Sequence, residues 1–181
     1  MMVRVIGIDP GINNCGIALC SYDTDKDMLI VNDHFTLHAN ESAKKYNRKD
    51  SKLYGNIFSL FILEKEITEI FDRWSPDYVA SEDAFWNPRT PNAFVSLKNC
   101  ITSIRRVLYS KRQLLYTIPP KLAKMTVVKA TATKEDIIAT IKKLPTVKIV
   151  KDTTDIVEHE ADAIGIAYTF IEQFYKKNLI K

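Results

Sequence analysis

Short apolar runs, separated by turn residues, occupy the first third of the chain. They cover residues 3–8, 15–22 and 28–37, and each is rich in β-branched or aromatic side chains. The polar turn DTDKD separates the second run from the third. Because the connections between the runs are short, the pattern predicts three strands that form an antiparallel meander.

The middle of the chain changes to helical spacing. Over residues 53–74 and again over 94–108, apolar side chains recur three and four positions apart, which is typical of a helix that buries one face. The apolar runs at 77–82 and 114–120 predict a fourth and a fifth strand. The polar and basic stretch at 38–52 is expected to be an insertion within the same fold.

The last third of the chain predicts three helices. The first is short and covers 120–128, the second begins at the capping-box spacing of Thr133 and Asp136, and the third covers 158–177. The whole order predicts an α/β fold whose mixed five-stranded sheet has three antiparallel strands, then crossover strands, with helices on its faces. The first and fourth strands should lie side by side, with the last helix across them. We expect a single domain over residues 1–181.

Composition narrows the class of protein. An apolar content of 46% and a charged content of 27% are typical of a globular protein, and no apolar stretch is long enough to cross a membrane. Arg4 and Asp9 interrupt the apolar region that a signal peptide would need, so we expect a cytoplasmic protein. The net charge of +4 is compatible with a nucleic-acid partner. Cys15, Cys20 and Cys100 lack zinc-site spacing, which predicts buried, reduced thiols.

Two carboxylates stand at the ends of predicted strands. Asp9 ends the first strand and Glu82 ends the fourth, each after an apolar run. A buried carboxylate is usually paired, hydrogen-bonded or bound to a metal, although a turn carboxylate is the alternative for either residue alone. On the last helix, Asp162 lies among small apolar residues, and His159 precedes it by three positions on the same face. The topology therefore predicts that these four side chains converge.

The chemistry of this set favours a hard divalent cation. Three carboxylates and an imidazole, with no cysteine, suit Mg²⁺ or Mn²⁺ better than zinc. Two such ions could activate a water and stabilise the leaving oxygen of a phosphodiester. Glu158 and Glu160 flank His159 and could be mistaken for metal ligands. Glu158 is the more credible substitute ligand of the two. The alternative for both is a solvated acid at a helix N-terminus.

Four sequence blocks resemble the RuvC family of Holliday-junction resolvases, within the ribonuclease H-like superfamily. The blocks are GIDPG (7–11), SEDAFW (81–86), KMTVVKATATKEDI (124–137) and EHEADAIGIAYTF (158–170), in the order that the family has them. The resemblance implies a ribonuclease H-like fold and symmetric, Mg²⁺-dependent nicking of four-way DNA junctions by a homodimer. It also implies two metal ions in each active site, with Mn²⁺ as a substitute. The divergence of the blocks suggests a phage or other viral member, which would act in the host cytoplasm.

The resemblance also assigns roles by position. The catalytic and metal-binding residues that it implies are Asp9, Glu82, His159 and Asp162. Some members of the family carry aspartate where this chain has His159. The family's junction-core aromatic falls on Phe85, and its two basic residues near the scissile phosphate fall on Lys124 and Lys134.

Further cations and aromatics suggest DNA contacts from the residues themselves. Cations near the catalytic blocks are expected to neutralise phosphates, and they are Arg89, Lys121, Lys124, Lys129 and Lys134. Two other clusters are basic, at 105–112 on the second long helix and at 142–151. For the cluster at 105–112 a merely solvated face is an equal alternative. Phe85 is expected to stack on unpaired bases, with core packing as its alternative, and Trp86 is left open between the two.

These observations predict a Mg²⁺-dependent, dimeric endonuclease that binds branched DNA, especially four-way junctions, and no membrane. Three alternatives stay open. The enzyme could cleave forks, flaps and Y-junctions more broadly, or the chain could bind junctions without cutting them, with His159 marking a degenerate centre. An actin-like phosphotransferase is the third. It is disfavoured because the pattern shows only one Asp-x-Gly loop and no second domain that could close over a nucleotide.

Overall fold

Six strands form one sheet in the computed structural model, which describes residues 1–150 and 156–179, without the side chains of residues 48 and 51. The strands are β1 (Met2–Asp9), β2 (Cys15–Asp23), β3 (Met28–Leu37), β4 (Tyr78–Glu82), β5 (Leu115–Ile118) and β6 (Val147–Ile149). Their order across the sheet is β5-β4-β1-β2-β3-β6. β1, β2 and β3 pair antiparallel, and β4 lies parallel to both β1 and β5. The mixed α/β fold, the meander and the neighbouring first and fourth strands are thus confirmed.

The predicted count of five strands was wrong by one. β6 pairs parallel with β3, with Leu29 opposite Val147 and Val31 opposite Ile149. The strand has only three residues and sits at the edge of the sheet, so its apolar pattern is too short to show a period. Pairing with β3, not local sequence, makes it a strand.

Seven α-helices accompany the described strands. They are α1 (Ala39–Tyr46), α2 (Arg48–Tyr54), α3 (Asn56–Trp74), α4 (Pro91–Ser110), α5 (Pro120–Val127), α6 (Lys134–Ile141) and α7 (Glu158–Phe170). A π-helical turn over Ile171–Tyr175 continues α7. No helix in these described segments is both long and apolar enough to cross a membrane.

The helix boundaries differ from the predicted ones in physically simple ways. The stretch at 38–52, for which no helix was predicted, folds into α1 and most of α2. The long helix that follows begins at Asn56 because Gly55 adopts a φ of +50°, which breaks the periodicity. The Thr133 and Asp136 capping box at the start of α6 is confirmed.

The sheet is covered by helices on both faces. On one face α3 and α4 pack over Ile8, Ile17 and Val79, and on the other α5, α6 and α7 pack over Val5 and Ala18. The three cysteines are buried and free of disulfides, as predicted. Each face therefore has its own apolar core, and the sheet separates them.

α7 lies unusually close to the strands beneath it. A Cβ atom built on Gly7 would overlap the carbonyl oxygen of Ala163, and one built on Gly16 would overlap the carbonyl oxygen of His159. Only glycine leaves room for the helix backbone at these two positions. This close approach brings the first turn of α7 to the ends of β1 and β4.

Candidate active site

The register of the parallel strands places Asp9 beside Glu82. Ile8 of β1 pairs with Ser81 of β4, and the two carboxylates are the next residue on each strand. Both strands run in the same direction, so both side chains leave the sheet at the same edge. The two predicted strand-end carboxylates are therefore neighbours in space, although 73 positions separate them in the chain.

α7 adds an imidazole and a third carboxylate to this edge. Nδ1 of His159 lies 2.7 Å from Oδ2 of Asp9, and the two side chains are largely shielded from solvent. Asp162, one turn further along α7, faces the same cleft. The structure thus brings together all four residues that the sequence predicted to converge.

These four side chains line a cleft of about 310 Å³. Its polar wall also includes Lys124 of α5, Lys134 of α6 and Glu158 of α7. The remaining wall is apolar and comes from α5, α6 and α7, through Pro120, Ala123, Val127, Ile137, Gly165 and Ile166. The cleft is therefore an acidic centre with two cations at its side and an apolar floor.

Two carboxyl groups of the cleft, those of Glu82 and Asp162, have raised pKa values. Burial, together with the nearby charges of Asp9 and Asp162, raises the pKa of Glu82 to about 7, against the opposing effect of Lys124. Burial likewise raises the pKa of Asp162 to about 6, reinforced by Asp9. These carboxylates hold protons at a pH where an ordinary carboxylate is ionised. A cation in the cleft would offset the part of this rise that comes from repulsion between the carboxylates.

The pKa of His159 is raised by the negative charge around it. Its hydrogen bond with Asp9 raises its pKa, against the opposing effect of partial burial. Asp162 adds to the rise, because a nearby negative charge favours the imidazolium form. The bond to Asp9 also sets the orientation of the ring, so the second ring nitrogen has a defined direction.

The donor set fits a hard divalent cation. Carboxylate oxygens with raised pKa values and one imidazole are ligands that Mg²⁺ or Mn²⁺ accepts, and no thiol is among them. Within residues 1–150 and 156–179, no three groups of these ligand types already form a closed metal-binding cluster. The side chains would therefore have to draw together around a metal. Metal binding by these residues stays a prediction.

The two lysines of the cleft differ in their partners. Lys124 is close enough to Glu82 and Asp162 to lower the pKa of both. Lys134 forms an ion pair with Glu158, so Glu158 is the partner of a cation at the cleft wall and is not merely a solvated acid. The pattern of the sequence does not predict this pair, because 24 residues separate its members.

Glu160 is not the solvated helix-terminal acid that the sequence suggested as an alternative. Its side chain is only 12% exposed and points to β3, where it contacts His34. The sequence pattern does not predict His34, since a single histidine inside a predicted strand carries no signal of its partner.

The loop after β4 presents the predicted aromatic residue to solvent. Phe85 is 70% exposed, which rules out core packing as its role. Trp86 is also exposed, and its ring meets that of Phe94 edge-on, with 5.2 Å between ring centroids. The loop is anchored at its start, because the amide of Asp83 donates to the carbonyl of Ile118. Phe85 is therefore available to a ligand next to the cleft.

The predicted DNA-binding cations also lie at the surface. Arg89, Lys121 and Lys129 are exposed and stand outside the cleft wall. In the cluster at 105–112, by contrast, Arg106 and Lys111 form ion pairs with Glu64 and Asp72 of α3. Half of that cluster therefore forms ion pairs within the protein, which neither the DNA-binding prediction nor the solvated alternative included. Of the cluster at 142–151, Lys151 lies outside the described residues.

The sequence matches a family model over most of its length. Residues 5–170 match the model described as "Crossover junction endodeoxyribonuclease RuvC". A protein of that name from Campylobacter jejuni is 29% identical over 171 residues, covering 93% of this chain and 94% of the relative. One from Prochlorococcus marinus is 25% identical over 173 residues, covering 94% and 98%.

Solved structures share the fold. RuvC of Thermus thermophilus in complex with a Holliday junction substrate aligns with a TM-score of 0.71 at 18% identity, covering 97% of this chain and 96% of that one. The Fowlpox virus resolvase in complex with substrate Holliday junction DNA aligns with a TM-score of 0.58 at 16% identity, covering 99% and 100%. The fold, the four acidic-cleft residues and the family match agree, and this chain belongs to the RuvC family of crossover junction endodeoxyribonucleases.

Proposed function

We propose that this chain is a structure-selective endonuclease that resolves four-way DNA junctions by symmetric nicking. The observation that carries the proposal is the single cleft lined by Asp9, Glu82, His159 and Asp162. The chain is proposed to act as one nuclease domain over residues 1–181, in the cytoplasm. The names of its relatives support the choice of substrate.

The RuvC family is generally metal-dependent, which supports a metal-binding role for the acidic cleft. We propose that Asp9, Glu82, His159 and Asp162 hold two Mg²⁺ ions, which Mn²⁺ can replace. When bound, such ions polarise the scissile phosphate and lower the pKa of water. The raised pKa values of Glu82 and Asp162 support this assignment, since a divalent cation relieves the repulsion that contributes to them.

The other side chains at the cleft bind and orient the substrate in this proposal. Lys124 supplies a positive charge to the scissile phosphate, and Asp9 keeps the ring of His159 aimed into the cleft through their hydrogen bond. Lys134 sits at the wall, where an incoming phosphate competes with Glu158 for its ammonium group. Phe85 stacks on unpaired bases at the exchange point, and Arg89, Lys121 and Lys129 contact phosphates of the arms.

A homodimer supplies the second nick. Two symmetric cuts require two active sites, and each chain has one such cleft among its described residues. The exposed apolar side chains of the long helices offer a surface for a second copy. Ile57 and Phe61 on α3 are 75% and 54% exposed, and Val95 on the neighbouring α4 is 54% exposed. Apolar exposure of this kind on adjoining helices is typical of a protein interface.

Single-turnover cleavage of a synthetic four-way junction tests the proposal. A linear duplex, a flap and a fork serve as comparison substrates, in Mg²⁺ and in Mn²⁺, with the wild type and Asp9→Asn. We expect paired nicks on the junction that the variant loses. Comparable rates on flaps and forks would replace junction resolution with broader debranching. Tight junction binding without cutting in either metal would show a binding protein with a degenerate centre.

A further inference from the structure

A buried pair ties the first turn of α7 to β3. Nδ1 of His34 lies 2.6 Å from Oε2 of Glu160, and the two side chains are only 4% and 12% exposed. The hydroxyl of Thr36 donates a longer hydrogen bond of 3.5 Å to the other carboxylate oxygen. With the carboxylate ionised, the imidazole N–H donates to Glu160. The pair stands beside the active-site cleft but does not line it.

A β-bulge puts His34 on the correct face of the sheet. Cys20 pairs with Val31 and Leu19 pairs with Asp33, so Asn32 is an extra residue without a partner in the ladder. Before the bulge the buried positions of β3 are Leu29 and Val31, and after it the buried position is His34. A bulge reverses the alternation of side chains beyond it. His34 therefore faces α7, opposite Ala18 on the neighbouring strand.

The first turn of α7 depends on such contacts between elements. Its N-cap residue is Val157, whose side chain cannot accept a hydrogen bond from the free amides of the turn. Glu158 is drawn towards Lys134 of α6, and Glu160 is drawn towards β3. The turn that carries His159 is thus held by tertiary contacts on two sides, where a local cap would ordinarily hold it.

We propose that Glu160 and His34 form a positioning pair that fixes the rotation of α7 and so sets His159 and Asp162 against Asp9. This inference deepens the proposed function and rests on it. Successive residues of a helix are about 100° apart, so Glu160 projects roughly 100° away from His159 and roughly 160° away from Asp162, towards β3 and out of the cleft. A small rotation of α7 at Glu160 therefore displaces both cleft residues together.

A role in stability alone explains the pair less well. A buried pair of polar or charged side chains gains little net stability over apolar side chains of similar size, because desolvation offsets the attraction. What it does supply is direction, since the bond between the carboxylate and the imidazole has one favourable geometry. A Cβ atom on Gly16 would overlap the carbonyl of His159, so backbone packing limits the height of α7 above the sheet, whereas the Glu160–His34 contact acts on the rotation of its first turn.

Metal affinity of the metal-free protein tests the proposal without reference to cleavage. Mn²⁺ binding is measured by calorimetry for the wild type, Glu160→Ala, Glu160→Gln and Thr169→Ala. Glutamine can still accept from His34, whereas alanine cannot. Thr169→Ala is the matched control, because it removes a buried side-chain hydrogen bond from the far end of α7, the one to the carbonyl of Gly165. Junction affinity and thermal stability are measured for each variant.

We expect Glu160→Ala to weaken Mn²⁺ binding by at least about tenfold, the usual effect of removing a residue that orients metal ligands. Junction affinity without metal should stay within about twofold, and Glu160→Gln should recover most of the Mn²⁺ affinity. Thr169→Ala should lower thermal stability and leave Mn²⁺ binding unchanged. If Glu160→Gln binds Mn²⁺ as weakly as Glu160→Ala, or if neither differs from Thr169→Ala, the positioning role is overturned.

These outcomes are separable from a failure of the proposed function. A wild type that binds Mn²⁺ but cuts no branched DNA contradicts the proposed function, while the comparison of variants still decides the role of the pair. A wild type that cuts junctions, with Glu160→Ala unchanged in Mn²⁺ affinity and in cleavage rate, contradicts only the positioning role. His34→Leu adds a second check. If the two residues act as a pair, the double variant His34→Leu with Glu160→Ala should lose no more Mn²⁺ affinity than Glu160→Ala alone.

Discussion

Nδ1 of His159 and Oδ2 of Asp9 lie 2.7 Å apart, although 150 positions separate the two residues along the chain. The bond joins the end of the central strand to the first turn of α7, and it places the imidazole in the acidic cleft. A ring oriented by a carboxylate of the same site is what we expect of a histidine that takes part in the chemistry, in contrast to a degenerate one. The first prediction tests that distinction.

His159→Asp should retain junction cleavage, whereas His159→Ala should lose about 10–100-fold in rate, since aspartate can still supply an oxygen ligand and alanine cannot. The measurement is single-turnover cleavage of a four-way junction at saturating Mg²⁺. Junction affinity in the absence of metal is the control and should be similar for the three proteins. Equal activity of the alanine variant and the wild type would remove His159 from the mechanism.

Metal-free protein should become less stable as the pH rises from about 5 to 8. The pKa of Glu82 is about 7 in the folded state, and the ordinary value of a glutamate is 4.5, so between these values the folded protein binds more protons than the unfolded chain. Asp162, with a pKa of about 6, and His159, with a raised pKa, act in the same direction. Stability that is present at low pH is therefore lost as the pH rises through these folded-state pKa values.

Thermal melts of the wild type and Glu82→Gln in a chelator measure this dependence. The variant should melt higher than the wild type at pH 8 and show a flatter profile, with about 2–4 °C for each kcal/mol in a domain of this size. Added Mg²⁺ should raise the wild-type melting temperature most at high pH, where the carboxylates are ionised. Parallel profiles for the two proteins would show that Glu82 does not carry the repulsion.

Gly16→Ala should destabilise the protein by at least about 1–3 kcal/mol, the usual cost of overpacking, because the added methyl group overlaps the carbonyl of His159. Gly165→Ala is the matched control. Its methyl group would meet Val127 at 3.3 Å, a contact with a side chain that can adjust, and alanine favours the helix. Urea unfolding of both variants decides the matter, and an equal loss in the two would contradict the close approach of α7 to β2.

Phe85→Ala should lower junction cleavage while leaving the fold and Mn²⁺ binding intact, because the ring is exposed and lies outside the cleft. Loss of one stacked base costs roughly 1–3 kcal/mol of junction binding. Tyr109→Ala is the control, since that ring is 85% exposed on the last turn of α4. If both variants cleave like the wild type, Phe85 has no part in recognition.

Replacing Lys121 and Lys129 with glutamine should weaken binding to all DNA and reduce its dependence on salt. Each phosphate contact that is lost lowers the slope of log affinity against log salt by about 0.9, so the pair should lower it by up to about 2. The double variant Arg106→Gln and Lys111→Gln removes the same charge from cations that already pair with Glu64 and Asp72. Similar slopes for the two double variants would point to a diffuse electrostatic effect.

Local patterns predicted most of the elements and all four cleft residues. The period of the apolar side chains marks the three meander strands and the two long helices, and a carboxylate directly after a buried strand is conspicuous because burial penalises charge. The two errors in predicting these elements also have local causes. β6 is too short to have a period, and Gly55 breaks a helix that the apolar spacing would have begun earlier.

The sequence by itself determined the chemistry available to this protein: three carboxylates, an imidazole and nearby lysines, on elements whose order places them at one edge of a sheet. Only the tertiary structure decided which charges pair. The bonds between Asp9 and His159, Lys134 and Glu158, and His34 and Glu160 join residues 24 to 150 positions apart. Hydrogen bonds act over about 3 Å, and periodicity reports only which face of an element is buried, so partner choice emerges when the helices pack on the sheet.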